Sequence, residues 1–208
     1  MMDLTGVLQL SVLIPTIPSR MKLFFELYRE LKYQVEMCRE VHPSLGKVQI
    51  LVDRRKEFLK GGPSIGGKRQ SLIERAKGNY LCFLDDDENI SPKYVETLLR
   101  LCNLDKDVCT FRNVSKFDNY WCIVDMGLDN PQEQAHDIDI VYRKPWHICP
   151  VRREYASQYL FPDTNYGEDW VWFEKVLKHC KTEAKSNALL HQYNHSKAKS
   201  EADKIVNA

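Results

Sequence analysis

The chain has 208 residues, 43% hydrophobic and 28% charged, a profile that fits one ordinary globular domain with a core large enough to fold without disulfide or metal staples. Thirty basic against twenty-nine acidic side chains leave a formal charge of +1, which removes the global electrostatic argument for nucleic acid or anionic membranes and leaves only local patches to consider. No run approaches the ~18 apolar residues of a transmembrane segment, and the seven cysteines form no C-x-x-C pair, which points to a reducing, cytoplasmic compartment.

The predicted elements alternate through the first half. Leu8 to Ile14 is a β-branched, Leu-rich run stopped by Pro15, and it reads as a first strand, not a signal peptide, because no basic residue precedes it. Met21, Phe24, Leu27, Leu31, Val35 and Cys38 then recur at spacings of three and four, one stripe of a helix. Val48 to Val52 is a second short strand. A helix over Lys68 to Lys77 is expected to stop at Gly78, Tyr80 to Leu84 is a third strand, and Ser91-Pro92 opens a helix towards Cys102. Strands alternating with helices at this spacing predict right-handed βαβ crossovers and a parallel sheet. The second half is less regular, with short strands expected at Val108 to Val114, Trp121 to Val124, Ile138 to Tyr142 and His147 to Val151. Helices are expected near Arg153 to Tyr159 and from Asp169 to Cys180. The charged tail from Ser196 is expected to be loosely ordered.

Ligands of open parallel sheets bind beyond the carboxyl ends of the strands. The residues there are Pro15, Thr16 and Arg20, then Asp53-Arg54-Arg55, then Asp85-Asp86-Asp87-Glu88. The last group brings four acidic side chains to the edge behind a buried strand, an arrangement that a hard divalent cation stabilises; the plainer alternative is a solvated acidic turn. From Arg54 to Lys77, eight basic residues stand against Glu57 and Glu74, around the segment Gly61-Gly62-Pro63-Ser64-Ile65-Gly66-Gly67-Lys68-Arg69. Its backbone N–H groups, with Lys68 and Arg69, offer a diphosphate site; a basic surface loop is the alternative. Gly62-x-x-x-x-Gly67-Lys68 mimics a P-loop, but Arg69 replaces the magnesium-binding Ser/Thr and the preceding strand ends too early, so that reading is rejected.

In order, LSVLIPTIPSR, ILVD, GGKRQSLIERAKGNYLCFLDDDE and GEDWVWFEKV resemble the GT-A glycosyltransferases of the family 2-like group, over about residues 8 to 195. The resemblance implies an α/β, GT-A (Rossmann-like) single domain with a mostly parallel central sheet flanked by helices, catalytic over residues 1–195. It also implies a metal-dependent, inverting transfer from a nucleoside-diphosphate sugar, with a UDP-sugar as the expected donor. Carried over residue by residue, Pro15, Thr16 and Asp53 would contact the nucleotide base, with Arg20 beside them. Lys68 and Arg69 would lie near the nucleotide, and Asp85 and Asp86 would approach the ribose or donor sugar. Asp87 would hold Mn²⁺ or Mg²⁺, with a C-terminal histidine, His191 or His195, completing the metal shell. Asp169, after Glu168, matches the general base; without the resemblance, an acid opening a helix is an equal reading of Asp169.

The sequence departs from the family at Arg54-Arg55 and at Gln70, and the three consecutive aspartates leave open which one ligates metal. Trp146 and His147, preceded by Arg143-Lys144-Pro145, are candidates for an acceptor site, as are Trp170 and Trp172, although core packing is the usual fate of a tryptophan. The expected acceptor is a glycan or small-molecule hydroxyl, with a hydroxymethylated DNA base as the lesser alternative, supported only by residues 54 to 60 and Lys197/Lys199. Two other readings compete: a nucleotidyltransferase of sugar-nucleotide type, and a catalytically silent nucleotide-binding module.

Overall fold

The structure is a computed structural model that describes residues 3–56, 58–117, 120–131 and 140–195. Along the chain run β1 (Leu8–Pro15), α1 (Met21–Val41), β2 (Lys47–Asp53), α2 (Ile65–Arg75), β3 (Tyr80–Phe83), β4 (Asn89–Ile90), α3 (Tyr94–Cys102) and β5 (Val108–Phe117). There follow β6 (Tyr120–Met126), β7 (Ile140–Arg143), β8 (Val151–Arg152), α4 (Arg153–Ala156), α5 (Glu168–Leu177) and β9 (Glu183–His195). The described strands join in one sheet of order β2-β1-β3-β8-β5-β6-β7, with β9 pairing both β5 and β4. This is the expected α/β architecture. β1 runs parallel to both β2 and β3, as the βαβ spacing requires. Beyond β3 the sheet is mixed: β5/β9 and β6/β7 are parallel, whereas β3/β8, β5/β8, β5/β6 and β4/β9 are antiparallel.

Register positions the site. Pro15 lies opposite Asp53, and Leu13 opposite Phe83, so the carboxyl ends of β1, β2 and β3 finish at one edge. β3 is buried on both faces, which is why its residues read as a continuous apolar run. The stripe predicted for α1 holds: Phe24, Leu27, Leu31 and Cys38 are buried. Gln34 on the same face donates to the Ser91 carbonyl at 2.9 Å and accepts the Val95 N–H at 3.1 Å. That side chain caps α3, which therefore begins at Tyr94, with Ser91 and Pro92 forming the turn ahead of it and not the cap itself.

Other elements also depart from expectation. α2 starts at Ile65 and ends at Arg75; Gly78 is not its left-handed stop but a point of close approach, where a Cβ would lie 2.6 Å from the Ser11 nitrogen. His147 to Cys149 is a turn, and of the predicted strand only Val151 pairs, with Arg152 beyond it. The Phe83 N–H nonetheless donates to the His147 carbonyl at 2.9 Å, which seats that turn against the end of β3. The helix expected over Arg153 to Tyr159 closes at Ala156. The long strand β9 was not anticipated at all. Residues 196–208, including Lys197 and Lys199, lie outside the described residues, as does the His195 side chain. Among the described residues no helix is long and apolar enough to cross a membrane.

Candidate active site

Three strand ends, the first turn of α2 and the N-terminus of α5 converge at the carboxyl edge of the sheet. From β1, Thr16 donates its hydroxyl to Asp86 Oδ2 at 2.6 Å, and its own N–H donates to the Asp53 carbonyl at 2.8 Å. Arg20 Nη2 reaches both Asp86 (2.8 Å) and Asp87 (2.5 Å). From β2, the Asp53 carboxylate accepts from the Arg55 backbone N–H (3.0 Å) and from its guanidinium, Nε–H at 2.9 Å. Burial opposes ionisation of Asp53, but the Arg55 hydrogen bonds outweigh it and hold the acid below its ordinary range. Pro15, Thr16, Arg20, Asp53, Asp86 and Asp87 are thus neighbours.

The glycine segment serves a different purpose from the one its composition suggests. Ser64 Oγ caps α2 by accepting the Gly67 N–H at 2.9 Å, and the Ser64 hydroxyl itself bonds to Asp163. The Ile65 N–H donates to Asn165 Oδ1 and the Gly66 N–H to the Thr164 carbonyl, each at 3.0 Å. Only glycine fits at 66, because a Cβ would fall 1.8 Å from the Pro162 oxygen. Loop 161–166 therefore takes up the Ile65 and Gly66 amides, and Ser64 that of Gly67, at the start of the helix that composition offered to a diphosphate. Lys68, nearly fully buried, ties β1 to the segment after β2 by donating to the carbonyls of Thr16 (2.7 Å) and Arg55.

Arg69 organises the deepest part of the site. It is buried over the Phe83 ring, 5.0 Å from its centroid, and pairs with Asp85 Oδ1 (2.9 Å) and Glu168 Oε1 (3.1 Å). His147, which is buried, completes the cluster. Its Nδ1 lies 2.9 Å from Asp169 Oδ2 and its Nε2 lies 3.8 Å from Asp85 Oδ2. Three carboxylates, Asp85, Glu168 and Asp169, thus surround two cations. Burial and Arg69 disfavour charge on the imidazole, but Asp169 and Asp85 prevail and raise its pKa from 6.5 to about 9. Burial would raise Asp169, yet His147, Arg69 and a hydrogen bond from Trp146 Nε1 (3.0 Å) hold it well below the usual carboxylate range. Asp85 is depressed in the same way by Arg69 and His147. Glu168, by contrast, is raised, burial outweighing its attraction to the shared Arg69.

Asp169 lies in the first turn of α5, and its side chain keeps 19% of its surface open, against 5% for His147 and 6% for Glu168. Of the two acids in the first turn of α5 it is the more open, while Asp85 at the end of β3 keeps 29%. Trp172 is fully buried, stacked on Phe161 at 4.4 Å and edge-on to Phe83 at 5.8 Å. That corrects its candidacy as an acceptor residue, whereas Trp170 is 41% exposed. His147 leaves the same group, because it sits behind Asp169 and not in front of it. Sequence reasoning missed this partnership, along with Asp163 and Asn165, which fix α2.

The fit of a divalent cation is mixed. In kind, the carboxylates of the acidic turn and an imidazole suit Mn²⁺ or Mg²⁺, and the position between Asp86 and Asp87 already holds a positive charge, that of Arg20. His191, however, is turned to Glu88, with Nε2 and Oε2 2.8 Å apart and both side chains buried. Glu88 Oε2 in turn accepts the Asp85 N–H at 3.1 Å. Among the described residues no three His, Cys, Asp or Glu side chains form a metal-ready group.

Similarity to solved structures agrees with the fold. S. aureus TarS 1-349 in complex with UDP-GlcNAc superposes with a TM-score of 0.62 at 13% identity, covering 90% of this chain and 58% of that one. The complex of the same protein with UDP gives 0.61 at 14% identity, covering 94% and 63%. The chain therefore spans about six-tenths of the length of these neighbours. No curated protein matches it. The family model of glycosyl transferase family 2 matches residues 35–160, well over half of the sequence, from within α1 past the acidic turn to the segment beyond α4. The chain belongs to glycosyl transferase family 2.

Proposed function

We propose that the protein transfers a sugar from a nucleoside diphosphate, a UDP-sugar, to an acceptor hydroxyl with inversion, and that residues 1–195 form the catalytic domain. One observation carries the reading: the strand-end acids Asp53 and Asp85 to Asp87 share an edge with Glu168 and Asp169 in a chain of this family. The solved complexes of TarS with UDP-GlcNAc and UDP support the choice of donor. Pro15, Thr16, Arg20 and Asp53 receive the nucleotide, with Lys68 bracing the two strand ends under it. Asp85 and Asp86 face the ribose and sugar, and Arg69 fixes Asp85 relative to Glu168.

Asp169 is the general base. His147 keeps it ionised throughout the physiological range, so a carboxylate oxygen is always available. The acceptor oxygen bonds to the anomeric carbon as the bond from that carbon to the diphosphate oxygen breaks, and the hydroxyl proton passes to Asp169. Because a carboxylate beside an imidazolium is a weak base, that proton moves late, when bond formation has made the hydroxyl acidic. Asp87 would hold Mn²⁺ or Mg²⁺ once Arg20 withdraws, with His191 joining only on leaving Glu88. The cation, when bound, supplies charge neutralisation for the departing diphosphate. The seven cysteines, all free and buried, favour the cytoplasm as its compartment.

The nucleotidyltransferase reading loses support, because the amides opening α2 are engaged, those of Ile65 and Gly66 by loop 161–166 and that of Gly67 by Ser64. The test is a thermal-shift panel of UDP, GDP, ADP and CDP, each with Mn²⁺ or EDTA. A diphosphate at a hundred times its Kd stabilises the fold by ~2.7 kcal/mol. Stabilisation by UDP that Asp53→Ala removes is the expected result; a flat panel refutes the donor site.

A further inference from the structure

Arg143, the last residue of β7, is 5% exposed, and its guanidinium carbon lies 3.8 Å from the Trp146 ring centroid and 6.0 Å from that of Trp170. Its Nε is fully buried without a hydrogen-bond partner, and among the described residues no carboxylate comes within ion-pairing distance of it. The other deeply buried cations have charged or carbonyl partners: Arg69, although its Nη1 is likewise buried without a hydrogen bond, has Asp85 and Glu168, and Lys68 has two carbonyls. The indole faces compensate the buried guanidinium only in part, and burial depresses its pKa despite the attraction of Asp169. The side chain lines a pocket with Trp146, Trp170, Phe173 and Glu174. Trp146 is also the residue whose indole N–H holds Asp169, so the pocket begins one side chain from the candidate base.

We propose that Arg143 binds a carboxylate or phosphate group carried by the acceptor, which makes the acceptor an anionic sugar or glycan and not a neutral one. This rests on the transferase reading above. The planar fork of arginine suits both anions in a two-pronged contact, and the exposed Trp170 indole suits the C–H face of a sugar ring. Glu174, exposed on the rim, and Asp169 oppose an anion there, so the group must sit on the guanidinium edge away from both.

The test follows the indole N–H resonances of Trp146 and Trp170 in the ¹⁵N-labelled full chain, assigned by Trp→Phe variants. The ligands titrated are methyl glucoside, methyl glucuronide, glucose 6-phosphate and an oligonucleotide carrying hydroxymethylcytosine. The glucuronide, the sugar phosphate or both are expected to move the two indole signals saturably, and their difference tells carboxylate from phosphate. Methyl glucoside is expected to leave them unchanged. Arg143→Gln should weaken anion binding about tenfold or more, and Arg143→Lys, which keeps the charge without the fork, by less. Equal binding of the neutral glucoside, anion binding indifferent to both variants, no shift with either anionic sugar, or a response to the oligonucleotide alone would each overturn the proposal. Anion binding that depends on Arg143, with no sugar passed to those anions from any UDP-sugar, would keep the pocket and overturn the transferase reading instead.

Discussion

His147 offers the most quantitative check on the inner cluster. Its folded pKa is raised from 6.5 to about 9 by Asp169 and Asp85, so the protonated ring contributes stability that is fully present below pH 6.5 and is lost as pH rises through 9. The gap between those values corresponds to about 3 kcal/mol, a large share of the ~5–15 kcal/mol by which domains are stable. Urea unfolding of the wild type and His147→Gln, compared at pH 6, 7.5 and 9.5, isolates this contribution from the tyrosines, lysines and cysteines that titrate in the same range. The stability difference between the two proteins should be largest at pH 6 and should shrink by pH 9.5 by about that amount. A difference that is flat with pH, or that grows with it, would mean that the ring is neutral in the folded protein. The charge balance drawn for Asp85, Glu168 and Asp169 would then be wrong.

Other consequences are equally direct. Gly66→Ala forces a methyl group into the Pro162 carbonyl and should lower the unfolding midpoint markedly in denaturant, whereas Gly61→Ala meets no atom and should cost only the strain of its left-handed backbone (φ +77°), about 1–2 kcal/mol. Trp172→Ala removes the ring packed against Phe161 and Phe83 and should cost about 3–5 kcal/mol in urea unfolding. Arg20→Ala frees Asp86 and Asp87 from their resident cation, so calorimetry should find tighter Mn²⁺ binding than in the wild type; weaker binding would count against competition at that position.

The part of the site carried by β1, β2 and β3 was legible because each strand announces itself locally: a buried apolar run, then a polar residue at its carboxyl end. What was not legible depended on contacts distant in sequence. β9 carries Glu, Lys, Ser and Asn along much of its length, residues with little strand propensity, and it is held by pairing with β5 over Val108 to Phe117. That pairing is what brings His191 to Glu88, a partnership that nothing around position 191 announces. The turn at His147 to Cys149 reads as a strand because Ile148 and Cys149 are apolar, yet its function is to seat an imidazole behind an acid 22 residues later in the chain. Likewise, the glycines at 66 and 67 suggest phosphate binding by composition, but Ser64 takes the Gly67 amide, and the partners of the Ile65 and Gly66 amides, Asn165 and Thr164, lie about a hundred residues away.

The central claim is that Asp169 takes the acceptor proton in a sugar transfer from UDP. The most direct measurement is the release of UDP from a panel of UDP-sugars, followed by mass spectrometry with water or an anionic sugar as acceptor, for the wild type and Asp169→Asn. The wild type is expected to release UDP from at least one donor, and Asp169→Asn to do so about 10²- to 10⁴-fold more slowly with UDP binding retained. Undiminished turnover in Asp169→Asn, or no turnover of any UDP-sugar by a wild type that binds UDP, would contradict that claim.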